Sequence, residues 1–153
     1  MKTYKLLTPG PLTTTDSVKQ EMLFDHCTWD EDYKQITQRI RRELLQLAHV
    51  DETAYTTVLM QGSGTFGVES VISSVIPDDG CLLLLSNGAY GERIAALCRY
   101  HHISCVHIAQ DYDQIPDRMK AEEALKQHPE ITHIAMNHSE TTTGIHKEIQ
   151  SIG

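Results

Sequence analysis

The sequence predicts an α/β chain: a three-layer fold with a mostly parallel sheet, preceded by an N-terminal arm and helices. Three observations carry this. From residue 55 onward, short apolar runs alternate with helical patterns, as strands joined by crossover helices do. Leu82-Leu83-Leu84-Leu85 is apolar on both faces, the mark of a central parallel strand. A glycine-rich turn, Gly62-Ser63-Gly64-Thr65, joins the first apolar run to the first helix of the alternating region.

Taken in order, Leu6-Leu7-Thr8-Pro9-Gly10-Pro11 is an apolar stretch broken twice by proline, which predicts an extended arm with a Pro-Gly-Pro turn. Thr14, Thr15 and Asp16 offer N-caps for a short helix reaching about Phe24. Residues 30–50 predict the longest helix, because Tyr33, Ile36, Ile40, Leu44 and Leu47 recur at intervals of three and four. That stripe faces the core or another subunit.

Strands are expected at residues 55–60, 81–86, 103–109 and 132–136. A helix from the glycine turn ends at Ile76 before Pro77, a second holds Ile94, Ala95, Leu97 and Cys98, and a third runs from Pro116 to His128 before Pro129. Residues 138–153 are polar and threonine-rich, with a weak helix start after His146. The organisation expected is an arm with helices over residues 1–50 and an α/β domain over residues 51–153.

Composition narrows the function classes. A hydrophobic content of 40% in 153 residues suits a folded chain with a core. A net charge of −8 with no basic block argues against nucleic acid and anionic membranes as partners. No apolar run, Leu82 to Leu85 included, is long enough to span a bilayer, and no apolar signal core follows Met1-Lys2-Thr3-Tyr4-Lys5. A cytoplasmic location is the expectation. Cys27, Cys81, Cys98 and Cys105 form no C-x-x-C pair and are expected to be free thiols. Cys98, His101, His102, Cys105 and His107 have ligand chemistry suited to zinc. Their division between a helix and a strand argues against it, and no metal is expected.

The glycine turn is the candidate site. A helix start presents amides with no partner inside the helix, and its dipole favours an anion. Ser63 and Thr65 add hydroxyls, although a plain strand-to-helix turn capped by Thr65 would read the same way. Two further polar loops close strands of the same sheet: Asn87-Gly88-Ala89-Tyr90 and Asn137-His138-Ser139-Glu140-Thr141-Thr142. Ligands of such sheets collect beyond the carboxyl ends of the strands. An anion cradle, an aromatic face and hydroxyls suit a planar phosphorylated cofactor. Gly62-x-Gly64-x-x-Gly67 also matches a dinucleotide fingerprint, but the next strand ends in Ser86-Asn87-Gly88 with no acid for a ribose.

Five motifs in order carry a resemblance: Leu6-Leu7-Thr8-Pro9-Gly10-Pro11, Asp25-His26-Cys27-Thr28-Trp29-Asp30, Val58-Leu59-Met60-Gln61-Gly62-Ser63-Gly64-Thr65-Phe66, Asn87-Gly88-Ala89-Tyr90-Gly91-Glu92-Arg93 and Glu140-Thr141-Thr142-Thr143-Gly144. Together they resemble the N-terminal half of the 2-aminoethylphosphonate–pyruvate transaminase family, in class V of the fold-type I pyridoxal phosphate (PLP) enzymes. The resemblance implies PLP as cofactor and a homodimeric enzyme that turns 2-aminoethylphosphonate and pyruvate into phosphonoacetaldehyde and alanine. It implies that Ser63, Gly64 and Thr65 hold the PLP phosphate, that Tyr90 stacks on the pyridine ring and that Thr141 bonds the ring's phenolic oxygen.

In this family, the lysine that bonds PLP and the acid that protonates its ring lie beyond the Glu140–Gly144 motif, as does the substrate-binding arginine. Lys147 is out of place for that lysine. The resemblance therefore implies a fragment without catalytic residues of its own, inactive alone. The other readings are a phosphate- or nucleotide-binding α/β module and a catalytically dead interaction protein.

Overall fold

The structure is a computed structural model that describes residues 4–8 and 10–152. Residues 1–3 and Pro9, part of the expected Pro-Gly-Pro turn, lie outside these. The chain divides into two compact units, Met1–Gln61 and Gly62–Gly153.

The first unit holds helices α1 (Asp16–Glu21) and α2 (Glu31–Leu47). Thr15 caps α1, its side chain accepting from the amide of Val18. Asp30 stands at the N-cap of α2, and Glu31 and Asp32 place negative charge in its first turn. No described residue of α2 is buried. Its apolar stripe is therefore not the core of this chain: Tyr33 is 37% exposed and Leu47 is 76% exposed.

Residues 55–60 do not form the strand expected of them. They have no β partner among the described residues, and Tyr55, Val58, Leu59 and Met60 are all exposed. The segment is tied to α2 instead. Arg41 Nε donates to the Thr57 carbonyl at 3.0 Å, Arg41 Nη2 donates to Thr56 Oγ1 at 2.7 Å, and Thr57 Oγ1 donates to the Arg41 carbonyl at 3.0 Å. A β-branched run becomes a strand only where a sheet edge takes its backbone groups.

The second unit is the α/β part. In order it contains α3 (Gly64–Val75), β1 (Cys81–Ser86), α4 (Ala89–Tyr100), β2 (Ser104–Ala109), α5 (Arg118–Gln127) and β3 (Ile131–Met136). A short hairpin follows, β4 (Ser139–Glu140) and β5 (Ile145–His146), and then a 3₁₀ turn, Ile149–Ser151. The main sheet has the order β2-β1-β3 and all its pairs are parallel. Leu83 lies beside Val106 on one side and Ile134 on the other.

The leucine run works on both faces at once. Leu82 and Leu84 pack with Ile72, Ile76, Ile94, Ala95 and Cys98 of the α3–α4 side. Leu83 and Leu85 pack with Ala121 and Ala124 of α5. All four leucines are at most 2% exposed. Each contributes about 1.5–3 kcal/mol of burial energy, which makes β1 the centre of the three layers.

The four cysteines stand as free thiols. Burial, with the neighbouring Cys98 thiol, pushes Cys105 up to about 12, and burial raises Cys98 as well. Among the described residues, no group of three or more histidine, cysteine or acidic side chains is placed to hold a metal ion. No helix of the described residues is long and apolar enough to cross a membrane.

Topology positions the site. The chain leaves β1 for β2 on one side, then crosses back past β1 to β3 on the other. The order therefore reverses between β1 and β3, and the carboxyl ends of these two strands open onto the crevice where ligands of α/β sheets collect.

Candidate functional site

The glycine turn opens α3 as its amide donors require. Ser63, not Thr65, is the N-cap: its Oγ accepts from the amide of Phe66 at 3.2 Å. The amide of Gly67 donates to the Ser63 carbonyl at 3.0 Å. Of the first four amides, those of Gly64 and Thr65 have no partner among the described residues. Close packing fixes the turn, since a Cβ on Gly62 would stand 2.5 Å from Cδ1 of Phe66.

Both hydroxyls of the turn keep a proton to donate. Ser63 Oγ is an acceptor in its cap, and Thr65 Oγ1 accepts from Arg93 Nη1 at 2.9 Å. The turn therefore offers two amides and two hydroxyls. A Cβ on Gly64 would meet no protein atom within 4 Å, so space beside these donors is open. This donor set fits a phosphate group, with the helix dipole adding to it.

Tyr90 sits in the first turn of α4, 40% exposed. The guanidinium of Arg93 lies 5.3 Å from the centre of its ring, one helical turn on. Arg93 thus touches both the Tyr90 ring and the Thr65 hydroxyl. Its position at i+3 from Tyr90 was the signal in the sequence, although nothing there revealed the reach to α3.

The threonine-rich hairpin comes to the same end of the sheet through Glu140, which is 1% exposed. Glu140 Oε2 accepts from the Tyr90 amide at 3.2 Å and from Asn137 Nδ2 at 3.1 Å. Its Oε1 accepts from Thr142 Oγ1 at 2.6 Å and from the Thr142 amide at 3.4 Å. Gly88 makes room for this carboxylate, because a Cβ there would stand 2.5 Å from Glu140 Cγ. Lys147 is also 1% exposed, its ammonium has no hydrogen-bond partner among the described residues, and it feels the charge of Glu140. Asn87, at the end of β1, donates to the Gln114 carbonyl at 2.6 Å, while its buried Oδ1 has no donor among the described residues.

Of the five residues picked from the sequence, Thr65 and Tyr90 are joined by Arg93, and Tyr90 is joined to the Thr141 hairpin by Glu140. Ser63 and Gly64 flank Thr65. The Thr141 side chain is exposed and makes no hydrogen bond among the described residues. A cavity of about 510 Å³ is lined by Gly64 of the turn and by Met136 and Asn137 at the end of β3. Its walls are largely apolar, from Val68, Ile94 and Ile134. In the sequence Glu140 stands out only as part of a polar loop and of the Glu140–Gly144 motif, with no role of its own. An acid followed by three threonines just past an apolar strand was the available signal.

Comparison with known proteins gives a consistent picture. No protein-family model matches the chain. The chain is 54% identical over 153 residues to a 2-aminoethylphosphonate–pyruvate transaminase of Lysinibacillus sphaericus, covering 100% of this chain and 42% of that protein. The protein of the same name from Bacillus cytotoxicus is 52% identical over 149 residues, covering 97% of this chain and 41% of the relative. That from Lactiplantibacillus plantarum is 48% identical over 150 residues, again 97% of this chain and 41% of the relative. The chain thus spans about two fifths of the length of these curated relatives. Among solved structures, pyridoxamine-pyruvate aminotransferase from Mesorhizobium loti superposes with a TM-score of 0.84 at 22% identity, over 97% of this chain and 38% of that one. Ureidoglycine-glyoxylate aminotransferase from Bacillus subtilis gives 0.82 at 20% identity, over 95% and 37%. At these identities the likeness shows the fold alone.

Proposed function

We propose, for a chain that along its whole length resembles part of the 2-aminoethylphosphonate–pyruvate transaminases, that it builds the phosphate- and ring-binding part of a PLP site in an enzyme of that family. The observation that carries the reading is the 54% identity across all 153 residues. The whole enzyme would pass the amino group of 2-aminoethylphosphonate to pyruvate, giving phosphonoacetaldehyde and alanine. We assign it to the cytoplasm as a homodimer. The half-exposed apolar stripe of α2 supports a partner surface. A dinucleotide module gains nothing from the structure, because β1 ends in Ser86 and is followed by Asn87 and Gly88, with no carboxylate among them.

PLP, when bound, supplies an electron sink that lets a substrate lose the proton beside its amino group. The chain's residues bind and orient. The free amides of Gly64 and Thr65 and the hydroxyls of Ser63 and Thr65 take the phosphate. The Tyr90 ring would stack on the pyridine ring, worth about 0.5–1.5 kcal/mol beyond burial, so it would orient the ring more than retain it. Thr141 donates to the phenolic oxygen, its hydroxyl being uncommitted. Lys147 plays no covalent part in this reading, because it is buried beside Glu140.

The test incubates the 153-residue chain with PLP, 2-aminoethylphosphonate and pyruvate, and assays alanine. The expected result is non-covalent PLP binding without alanine above a PLP-only control. Proton transfer by a positioned base is worth about 10²–10⁴ in rate, and in the family this chain resembles that base lies beyond the Glu140–Gly144 motif. Sustained alanine formation would show that Lys147 or another lysine of the chain does that work.

A further inference from the structure

Glu140 is 1% exposed, and four donors converge on its two oxygens. They come from three different segments: Tyr90 in the first turn of α4, Asn137 just after β3, and Thr142 in the hairpin turn. A buried carboxylate is costly unless its lone pairs are filled. Here they are filled by the loops that carry the ring-side residues. The packing is exclusive on one side, since a Cβ on Gly88 would overlap Glu140 Cγ and Cδ, at 2.5 and 2.6 Å. The hairpin adds its own constraint: the amides of Thr143 and Gly144 donate to the Glu140 carbonyl at 3.2 and 2.8 Å, and Gly144 takes a φ of 74° to allow it.

We propose that Glu140 is the positioning residue for the ring-binding half of the site: through the Tyr90 amide and the Thr142 amide and hydroxyl it sets where the Tyr90 ring and the Thr141 hydroxyl stand relative to each other. This rests on the reading of the site as one for PLP. Tyr90 and Thr141 are 51 residues apart in number, and the Glu140 carboxylate spans the gap between their loops with hydrogen bonds. Glu140 does not touch the phosphate end. Ser63 is held by its cap to Phe66, and Thr65 by Arg93. The inference therefore separates the two halves: loss of Glu140 loosens the ring side and leaves the anion donors in place.

The experiment uses the full 153-residue chain, Glu140→Gln and, as a milder change, Thr142→Val. The glutamine keeps the shape but turns one acceptor into a donor that opposes the converging N–H and O–H groups. Three quantities are read: hydrogen exchange at the Tyr90 and Thr142 amides, PLP affinity, and inorganic phosphate affinity. In Glu140→Gln, exchange should accelerate at the amide left facing the side-chain NH2, that of Tyr90 or that of Thr142, and PLP affinity should fall, each by about tenfold or more, as expected when a hydrogen bond to a charged group is lost. Inorganic phosphate affinity should stay within about twofold, since amides and hydroxyls at the turn of α3 hold it. Thr142→Val should move exchange and PLP affinity in the same direction by less, and it keeps the test open if Glu140→Gln does not fold. Unchanged exchange at both amides, unchanged PLP affinity, or an equal loss of phosphate affinity would each overturn the inference. If the wild-type chain binds phosphate but not PLP, the cofactor reading fails, and the exchange result alone then decides whether Glu140 holds the Tyr90 and Thr142 loops.

Discussion

Glu140 also fixes how the site responds to acid. Burial alone would raise its carboxyl, but the hydrogen bonds from Thr142, Asn137 and Tyr90 outweigh that and hold it below the ordinary value of 4.5. A carboxyl depressed in the folded state contributes stability that is present above its unfolded value and lost as the pH falls through the folded one. Lys147 faces it from β5's end, pushed below its ordinary 10.5 by burial, with Glu140 pulling the other way. Its effect has the same sign, stability rising with pH, but lies in the alkaline window. On the acid side, the stability difference between wild type and Glu140→Gln should therefore shrink as the pH drops below about 4.5. Urea titrations of both chains at a series of pH values measure this, and a difference independent of pH down to 3 would contradict it. At this scale the sequence was partly legible. The turn's donors could be named because glycine, serine and threonine have few other uses between a strand-like run and a helix. Which hydroxyl caps α3 could not, because Ser63 and Thr65 are both good caps and the choice depends on where the first helical turn begins. Arg93 and Glu140 act across loops distant in sequence, and no local pattern encodes those contacts.

Among the elements, β1 was the most legible and the segment before the glycine turn the least. Four leucines in a row can satisfy two apolar faces only as a strand between two helical layers, and the structure places them there. Leu83, fully buried against Ala121 and Ala124 of α5, makes the strongest test. Leu83→Ala should cost about 2–5 kcal/mol, because it removes transfer energy and leaves a cavity between packed layers. Denaturant unfolding measures this, and a loss below 1 kcal/mol would mean that β1 is not the centre of the core. Residues 55–60 have equal strand propensity, yet no sheet edge among the described residues pairs with them. Propensity describes how a side chain suits a pleated surface and says nothing of whether a neighbouring strand exists. The hairpin of β4 and β5 was missed for the opposite reason. Its strands are two residues each, and its register is held by the Lys147 amide bonding the His138 carbonyl at 2.8 Å and by the Glu140 turn.

At the scale of the whole molecule, the reversal of strand order between β1 and β3 explains why loops far apart in sequence meet: each follows the carboxyl end of a strand or opens a helix packed over it. The parallel sheet and its layers follow from alternating patterns, whereas the chemistry needed the ordered motifs as well, since a glycine turn alone suits many phosphates. The measurement closest to the central claim is a PLP titration of the wild-type chain and of Gly64→Leu, with thermal unfolding of both. Gly64 is suited to this because a Cβ there meets no protein atom within 4 Å, so a larger side chain enters open space beside the free amides. Wild type should bind PLP, with inorganic phosphate competing. Gly64→Leu should melt within a few degrees of wild type, a helix start tolerating the change at a cost of about 1 kcal/mol or less, and should bind neither ligand. Equal PLP binding by the two chains would place the cofactor somewhere other than the turn of Ser63, Gly64 and Thr65.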